Sequence, residues 1–316
     1  LEKVAFLEQV GIQRAILARE LSLEQIAAIR AATNLELETF IHGALCVCYS
    51  GQCALSYAIG GRSGNRGQWA QPCRRCYSLL DGNGKRLVEN SHLLSLKDLN
   101  LSDYLRDLLD AGICSFKIEG RLKDQAYVKN IVAHYRQQLD SILPALDLHP
   151  SSSGRVEIEF EPDPAKTFNR GYSSYFLTGQ CDAIASPTTP KHAGEPVGVV
   201  TDVDADGFYL NLIAALNNGD GLTFFDRDGQ LQGTLVNRVE GYKIYPAKIA
   251  GIFKGAQICR NADRAFLKHL KKRQPERRIP IKMHFSETKS GFQLAARDQD
   301  GNSVSLASSV KKDPAK

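Results

Sequence analysis

The sequence predicts an α/β protein: a partial, TIM-barrel-like parallel α/β domain over residues 1–148, followed by a β-barrel-rich domain over residues 155–316. Three observations carry this reading. Strand, helix and strand patterns succeed one another near the start of the chain. A further strand pattern leads into a long amphipathic helix. Beyond a polar linker, helical periodicity gives way to short alternating runs broken by Asp-Gly turns.

Taken in order, Arg14 to Arg19 (RAILAR) is a short apolar run suited to a buried strand. Ser22 then caps a helix whose apolar positions are Leu23, Ile26, Ala27 and Ile29, with Gln25 placed to complete a capping box. Leu35 to Ile41 (LELETFI) reads as the next strand, at the spacing of a parallel unit. SFKIEG, from Ser115 to Gly120, repeats the strand pattern before a helix carrying Val128, Ile131, Val132, Tyr135, Leu139 and Ile142 on one face. HPSSSGR, starting at His149, is the polar linker. Past it, DADG (Asp204 to Gly207), DRDG (Asp226 to Gly229) and DQDGN (Asp298 to Asn302) separate runs such as FYLNLI and FQLAA, as in a β-barrel. A basic helix from about Asp263 to Arg273 precedes a final hairpin region. Leu1, standing where a helical pattern is already under way, suggests a piece of a longer protein whose fold is completed elsewhere.

With 316 residues, 43% of them hydrophobic, the chain can bury sizeable cores. It has no apolar run of about 18 residues and no charged-then-apolar leader, so no membrane span is expected and the cytoplasm is the expected compartment. The net charge of +5 is unevenly spread. Six basic residues against Asp81 lie between Arg62 and Arg86, and eight against Glu276 lie between Arg264 and Lys282. The glycine-rich loop Gly60 to Gln68 and its flank make Arg62, Arg66, Arg74 and Arg75 candidates for contact with an RNA backbone. The run near Lys272 reads first as a solvated helix face.

The chemistry concentrates in HGALCVCYSGQCALS, where Cys46, Cys48 and Cys53 fall directly after a strand, beyond the carboxyl end at which parallel sheets place their sites. With Cys73 and Cys76, five soft ligands suit an iron-sulfur cluster or zinc. Cys114, Cys181 and Cys259 are isolated and read as small core residues. His42 invites a thiol-protease reading with Cys46 or Cys53 as nucleophile, but no HExxH is present and GRSGN lacks the second glycine of a nucleophile elbow. Alternation in SFKIEGR sets Lys117 and Glu119 on one face, followed by Arg121; Glu38 and His42 share a face of LETFIHG, and Arg19 and Glu20 end the earlier strand. Such charges either close the barrel as ion pairs or serve a site.

ETFIHGALCVCYSGQCALS, GGRSGNRGQWAQPCRRCY, LLSLKDL and FKIEGRLKDQAYVKNIV together resemble the collagenase-like peptidase family U thirty-two over about residues 14 to 140. Glu38, Phe40, Gly43, Cys46, Gly51, Cys53 and Ser56 stand where that family's signature has them. KTFNRGYSSYFL and SPTTPKHAGEPVG are similar to the β-rich extension of the branch that hydroxylates a cytidine of 23S ribosomal RNA in a prephenate-dependent manner. The resemblance implies a barrel-like α/β domain holding an iron-sulfur cluster, of the 4Fe-4S type, on Cys46, Cys53 and Cys73. It also implies ribosomal RNA as partner and prephenate as a small anionic co-substrate. Glu38, His42, Lys117, Glu119 and Arg121 are the candidate catalytic residues. Trp69 departs from the pattern, because relatives carry Cys there. Either Cys76 or Cys48 replaces the lost thiolate, with Cys76 taken first, or the cluster is absent. The alternative activity is a collagenase-like peptidase.

Overall fold

A computed structural model describes residues 1–179, 183–272 and 275–310; Cys181 and Arg273 lie outside the described residues. In chain order the first part contains α1 (Glu2–Gln9), β1 (Arg14–Ile16), α2 (Leu23–Ala31), β2 (Glu36–Gly43), α3 (Leu55–Gly60), β3 (Tyr77–Leu80), β4 (Arg86–Ser91), β5 (Asp98–Asn100), α4 (Leu105–Asp110), β6 (Ser115–Ile118) and α5 (Gln125–Ile142). Then follow β7 (Arg155–Glu157), β8 (Tyr172–Ser173), β9 (Glu195–Val203), β10 (Phe208–Leu212), β11 (Gly221–Phe225), β12 (Leu231–Glu240), β13 (Lys243–Pro246), β14 (Gln257–Ala262) and α6 (Arg264–Lys272). Last come β15 (Glu276–Arg278), β16 (Ile281–Thr288), β17 (Gly291–Asp298) and β18 (Ser303–Ser309). The chain forms two compact units: Leu1–Gln138 with Pro162–Lys271, and Leu139–Glu161 with Lys272–Lys316.

In the first unit the predicted strand, helix and strand are present, and β1 runs parallel to β2 with Arg14 opposite Glu36. The capping box of α2 is complete: the Gln25 N–H donates to Ser22 Oγ at 3.3 Å and the Ser22 N–H to Gln25 Oε1 at 3.0 Å. This satisfies two amide donors that a helix start otherwise leaves bare. β6 is also parallel to β2, while β5 pairs antiparallel with the end of β2 and parallel with β8, so the sheet is mixed. Leu37, Ile41, Leu105, Leu108 and Ile131 lie fully buried in this part.

Two sequence expectations are corrected here. The buried face of α5 carries Tyr127, Ile131 and Tyr135, spaced four apart, whereas Val128 and Val132 are exposed. Ile131 and Tyr135 of the expected stripe are buried, and Tyr127 takes the place expected of Val128 and Val132. Cys114, expected in the core, is exposed at the start of β6.

The β-rich segment closes into a barrel of order β10-β13-β12-β11-β14-β9 around Val197, Phe208, Leu210, Leu222, Phe224, Ile244 and Ile258. Closure leaves no unpaired strand edge. In the second unit β7 pairs with β15, and β16, β17 and β18 form a three-stranded antiparallel sheet.

Candidate functional site

Three parallel strands deliver the site from their carboxyl ends: Arg19 follows β1, Cys46 follows β2, and Glu119, Arg121 and Lys123 follow β6. They border a cavity of about 540 Å³ within the first unit. The sulfurs of Cys46, Cys48 and Cys53 all lie within 4.8 Å of one another, and Cys73 lines the same cavity as Cys46 and Cys53. Burial pushes the Cys46 thiol up to about 11, against the Cys48 N–H that favours its ionisation. Burial likewise raises Cys48 and Cys73, the latter against the pull of Arg74. At Cys53 burial works in the same sense but is outweighed by the Leu55 N–H, the Cys48 and Cys46 thiols and the Ser56 N–H, and the thiol is lowered. Because these amides open α3, Cys53 occupies a position suited to a thiolate.

The wall also carries cationic and aromatic side chains. The Arg19 guanidinium stacks over Phe40 at 3.9 Å and pairs with Glu119 at 3.7 Å. Arg121 lies over the Trp69 ring at 4.3 Å and donates to the Gly67 carbonyl at 2.6 Å. Trp69 closes on Gly64, where a Cβ would stand 3.0 Å from the indole, so a larger residue there would displace the ring. Arg170 meets the buried Asp98 at 3.0 Å and donates to the Pro190 carbonyl at 2.8 Å. The Lys123 amine sits 3.4 Å over the Phe168 ring, and burial lowers it to about 8.

The sequence candidates divide between this cavity and other places. Glu119 and Arg121 line it, and the Arg121 N–H donates to Glu119 Oε1 at 2.9 Å. Glu38 does not line it; its carboxylate takes the Ser115 hydroxyl at 2.7 Å and lies 3.4 Å from Arg14 and 3.8 Å from Lys117. His42 was expected on the face of Glu38, but the β2–β6 register shifts between Phe40 and His42. That irregularity turns His42 into a buried cage of Tyr127, Tyr135 and Tyr172, with Nδ1 3.2 Å from the Tyr135 hydroxyl. Burial, with His134 and Lys123 nearby, pushes His42 down to about 3, so it is neutral at pH 7. Gly43 follows at φ +106°, where an added Cβ would stand 2.3 Å from the Glu119 carbonyl oxygen; only glycine lets β2 pass this close.

Arg62, Arg66 and Arg75 are exposed, whereas Arg74 turns inward and donates to Ser95, Leu96 and Leu45. Cys76 is exposed and faces His92 outside the cavity lining. Among the cavity residues that sequence reading missed are Lys123, Phe168 and Arg170. The last two stand in KTFNRGY, a segment already singled out, but nothing local indicated that it folds back against the cysteine loop.

Thiols gathered beside arginines at the carboxyl ends of parallel strands define a class of cysteine-cluster α/β proteins in which an anionic metal centre would be offset by surrounding cations. The sequence model of Peptidase family U32 matches residues 1–186, and the chain belongs to that family. It is 42% identical over 313 residues to 23S rRNA 5-hydroxycytidine C2501 synthase of Escherichia coli (strain K12), covering 96% of this chain and 48% of that protein. Similarity to tRNA hydroxylation protein P1 of Bacillus subtilis (strain 168) is 38% over 233 residues, or 70% of this chain and 54% of that protein. A collagenase of Porphyromonas gingivalis (strain ATCC BAA-308 / W83) is 33% identical over 178 residues, 52% of this chain and 42% of its own length. The chain thus spans about half the length of the curated relatives it matches. No solved structure matches it.

Proposed function

We propose that this chain is the site-bearing part of an RNA-modifying hydroxylase acting on a cytidine of 23S ribosomal RNA in the cytoplasm. The observation that carries the reading is the gathering of Cys46, Cys53 and Cys73 at one cavity, with the Cys48 sulfur within 4.8 Å of those of Cys46 and Cys53, in a chain similar almost end to end to a 23S rRNA 5-hydroxycytidine synthase. β1, β2 and β6 are read as part of a TIM-barrel-like α/β domain.

The donor set fits an iron-sulfur cluster: soft sulfurs converge, and Arg19 and Arg74 stand near enough to favour the thiolate forms of Cys46 and Cys73. Cys46, Cys48, Cys53 and Cys73 would hold it, with Cys48 rather than Cys76 in the place that Trp69 vacates. Such a cluster, 4Fe-4S by resemblance, supplies one-electron redox chemistry when bound. Arg121, Lys123 and Arg170 form the wall suited to a small dianionic co-substrate such as prephenate. Phe168 offers an apolar face under the Lys123 amine, and Glu119 fixes Arg19. Trp69 lines the cavity and holds the Arg121 guanidinium against its ring. Arg62, Arg66 and Arg75, exposed on the surface, are suited to meet RNA phosphates.

The peptidase alternative needs an imidazole beside Cys46 or Cys53. His42 is instead caged by tyrosines, so hydroxylation is the reading the geometry favours. The test is mass-spectrometric mapping of 23S ribosomal RNA from cells lacking the full gene, complemented with wild type or with Cys46→Ala. One oxygen on a single cytidine should vanish in the deletion and return with wild type only; RNA unchanged in every strain would overturn the assignment.

A further inference from the structure

The cavity is lined by the cations Arg19, Arg74, Arg121, Lys123 and Arg170. Each arginine is held by acceptors of the protein itself. Arg19 pairs with Glu119, Arg74 donates to Leu45, Ser95 and Leu96, Arg121 to Gly67, and Arg170 to Asp98 and Pro190. The Lys123 amine differs. Among the described residues it meets no hydrogen-bond acceptor and no carboxylate at ion-pair distance, and its contacts are the rings of Phe168 at 3.4 Å and Tyr127 at 5.4 Å. The two aspartates that attract it are engaged elsewhere: Asp98 with Arg170 at 3.0 Å, and Asp124 with the Tyr127 N–H at 2.8 Å in the first turn of α5.

A half-buried amine so placed is poorly held as the ammonium. Burial disfavours its charge and Arg170 and Arg74 repel it, while Asp98 and Asp124 offset this only in part, so the amine falls to about 8. About a tenth of the protein then carries the free amine at pH 7, against fewer than about one in a thousand for an ordinary lysine. A lysine between cations and aromatic carbon is a nucleophile toward carbonyl carbon. Arg121 and Arg170, on the same wall, present guanidinium groups that suit a carboxylate.

We propose that Lys123 forms an imine with a 2-oxo carboxylic acid bound in this cavity, the acid's carboxylate resting on the arginines that share the wall. This deepens, and rests on, the reading of the wall as the place of an anionic co-substrate, since the co-substrate named there carries a 2-oxo acid group. The Lys123 nitrogen bonds to the ketone carbon and the carbon–oxygen double bond breaks. Counted from the ammonium, two hydrogens leave with the oxygen as water and the third stays on the iminium nitrogen. Nothing is oxidised or reduced in this step.

The full chain is incubated with phenylpyruvate and sodium cyanoborohydride, whose hydride reduces an iminium to a stable secondary amine, and adducts are mapped by mass spectrometry. Lys85, exposed in the turn between β3 and β4, is the internal reference. The adduct should form about tenfold faster at Lys123 than at Lys85, less than the gain in free amine because a less basic amine is a weaker nucleophile. Lys123→Arg keeps the positive charge but cannot form an imine; it should lose this adduct, leave that at Lys85 unchanged and still bind phenylpyruvate. Calorimetry of phenylpyruvate binding separates the proposal from the reading beneath it. Binding to the wild type with no more adduct at Lys123 than at Lys85 would overturn the imine and leave the anion site standing. No binding and no adduct would overturn both. These wild-type comparisons need no variant to fold.

Discussion

Replacing His42 by Phe should remove a defined part of the acid sensitivity of this protein. Burial holds the imidazole at about 3 instead of its ordinary 6.5. The unfolded chain therefore binds a proton that the folded chain refuses, and the stability gained by keeping His42 neutral is fully present above about pH 6.5 and is lost as pH falls toward 3. At pH 5 the gap from the ordinary value is about one and a half pH units, worth about 2 kcal/mol at about 1.4 kcal/mol per unit. Phenylalanine fits the same cage, and neither tyrosine hydroxyl is stranded. Tyr135 keeps the Ile41 carbonyl at 2.8 Å, and Tyr172 keeps the Pro164 carbonyl at 3.0 Å. The cost at pH 7.5 should stay at about 1 to 2 kcal/mol, for the contacts to the Tyr135 and Tyr172 hydroxyls that are removed. Urea unfolding of wild type and His42→Phe at pH 7.5 and pH 5 measures both terms. Carboxylates and His192 titrate alike in the two proteins, so the difference between them isolates His42. Wild type should lose about 2 kcal/mol more than the variant over this interval; parallel losses would refute the buried neutral histidine.

Asp98→Ala should cost about 3 kcal/mol, since it strands the Arg170 guanidinium, whose side chain is 11% exposed beside an aspartate side chain 2% exposed. The surviving bond from Arg170 to the Pro190 carbonyl keeps the value at the low end. A loss below about 1 kcal/mol in urea unfolding would mean that the pair is not desolvated. Replacing Arg62, Arg66 and Arg75 together by Ala should flatten the salt dependence of binding to a 23S ribosomal RNA fragment, by about 0.7 to 0.9 in slope for each phosphate no longer neutralised. Arg74→Ala should instead lower stability, because Ser95, Leu96 and Leu45 lose their donor. An unchanged slope in the triple variant would place the RNA elsewhere.

Local chemistry made much of this fold readable. The capping box of α2 joins residues three apart, and the Asp-Gly turns fold on their own aspartates: Asp204 takes the Gly207 N–H at 2.9 Å, Asp226 the Gln230 N–H at 2.8 Å and Asp298 the Asn302 N–H at 2.8 Å. Cys46, Cys48 and Cys53 could likewise be placed after a strand, because two-residue alternation marks where β2 stops. On the buried face of α5, Ile131 and Tyr135 were legible but Tyr127 was not, because an apolar stripe does not say whether valines or tyrosines fill the space beneath it.

The sequence by itself determined the elements, their hairpins and the loop that carries the thiols, since each depends on neighbours along the chain. Only the tertiary structure decided that His42 leaves the face of Glu38, that Arg170 and Phe168 complete a cavity begun by residues after β1, β2 and β6, and that Cys48 rather than Cys76 joins Cys46 and Cys53. These outcomes rest on a register shift between paired strands and on packing between segments far apart in sequence. Their energies come from burial and pairing that exist only once the chain has closed on itself.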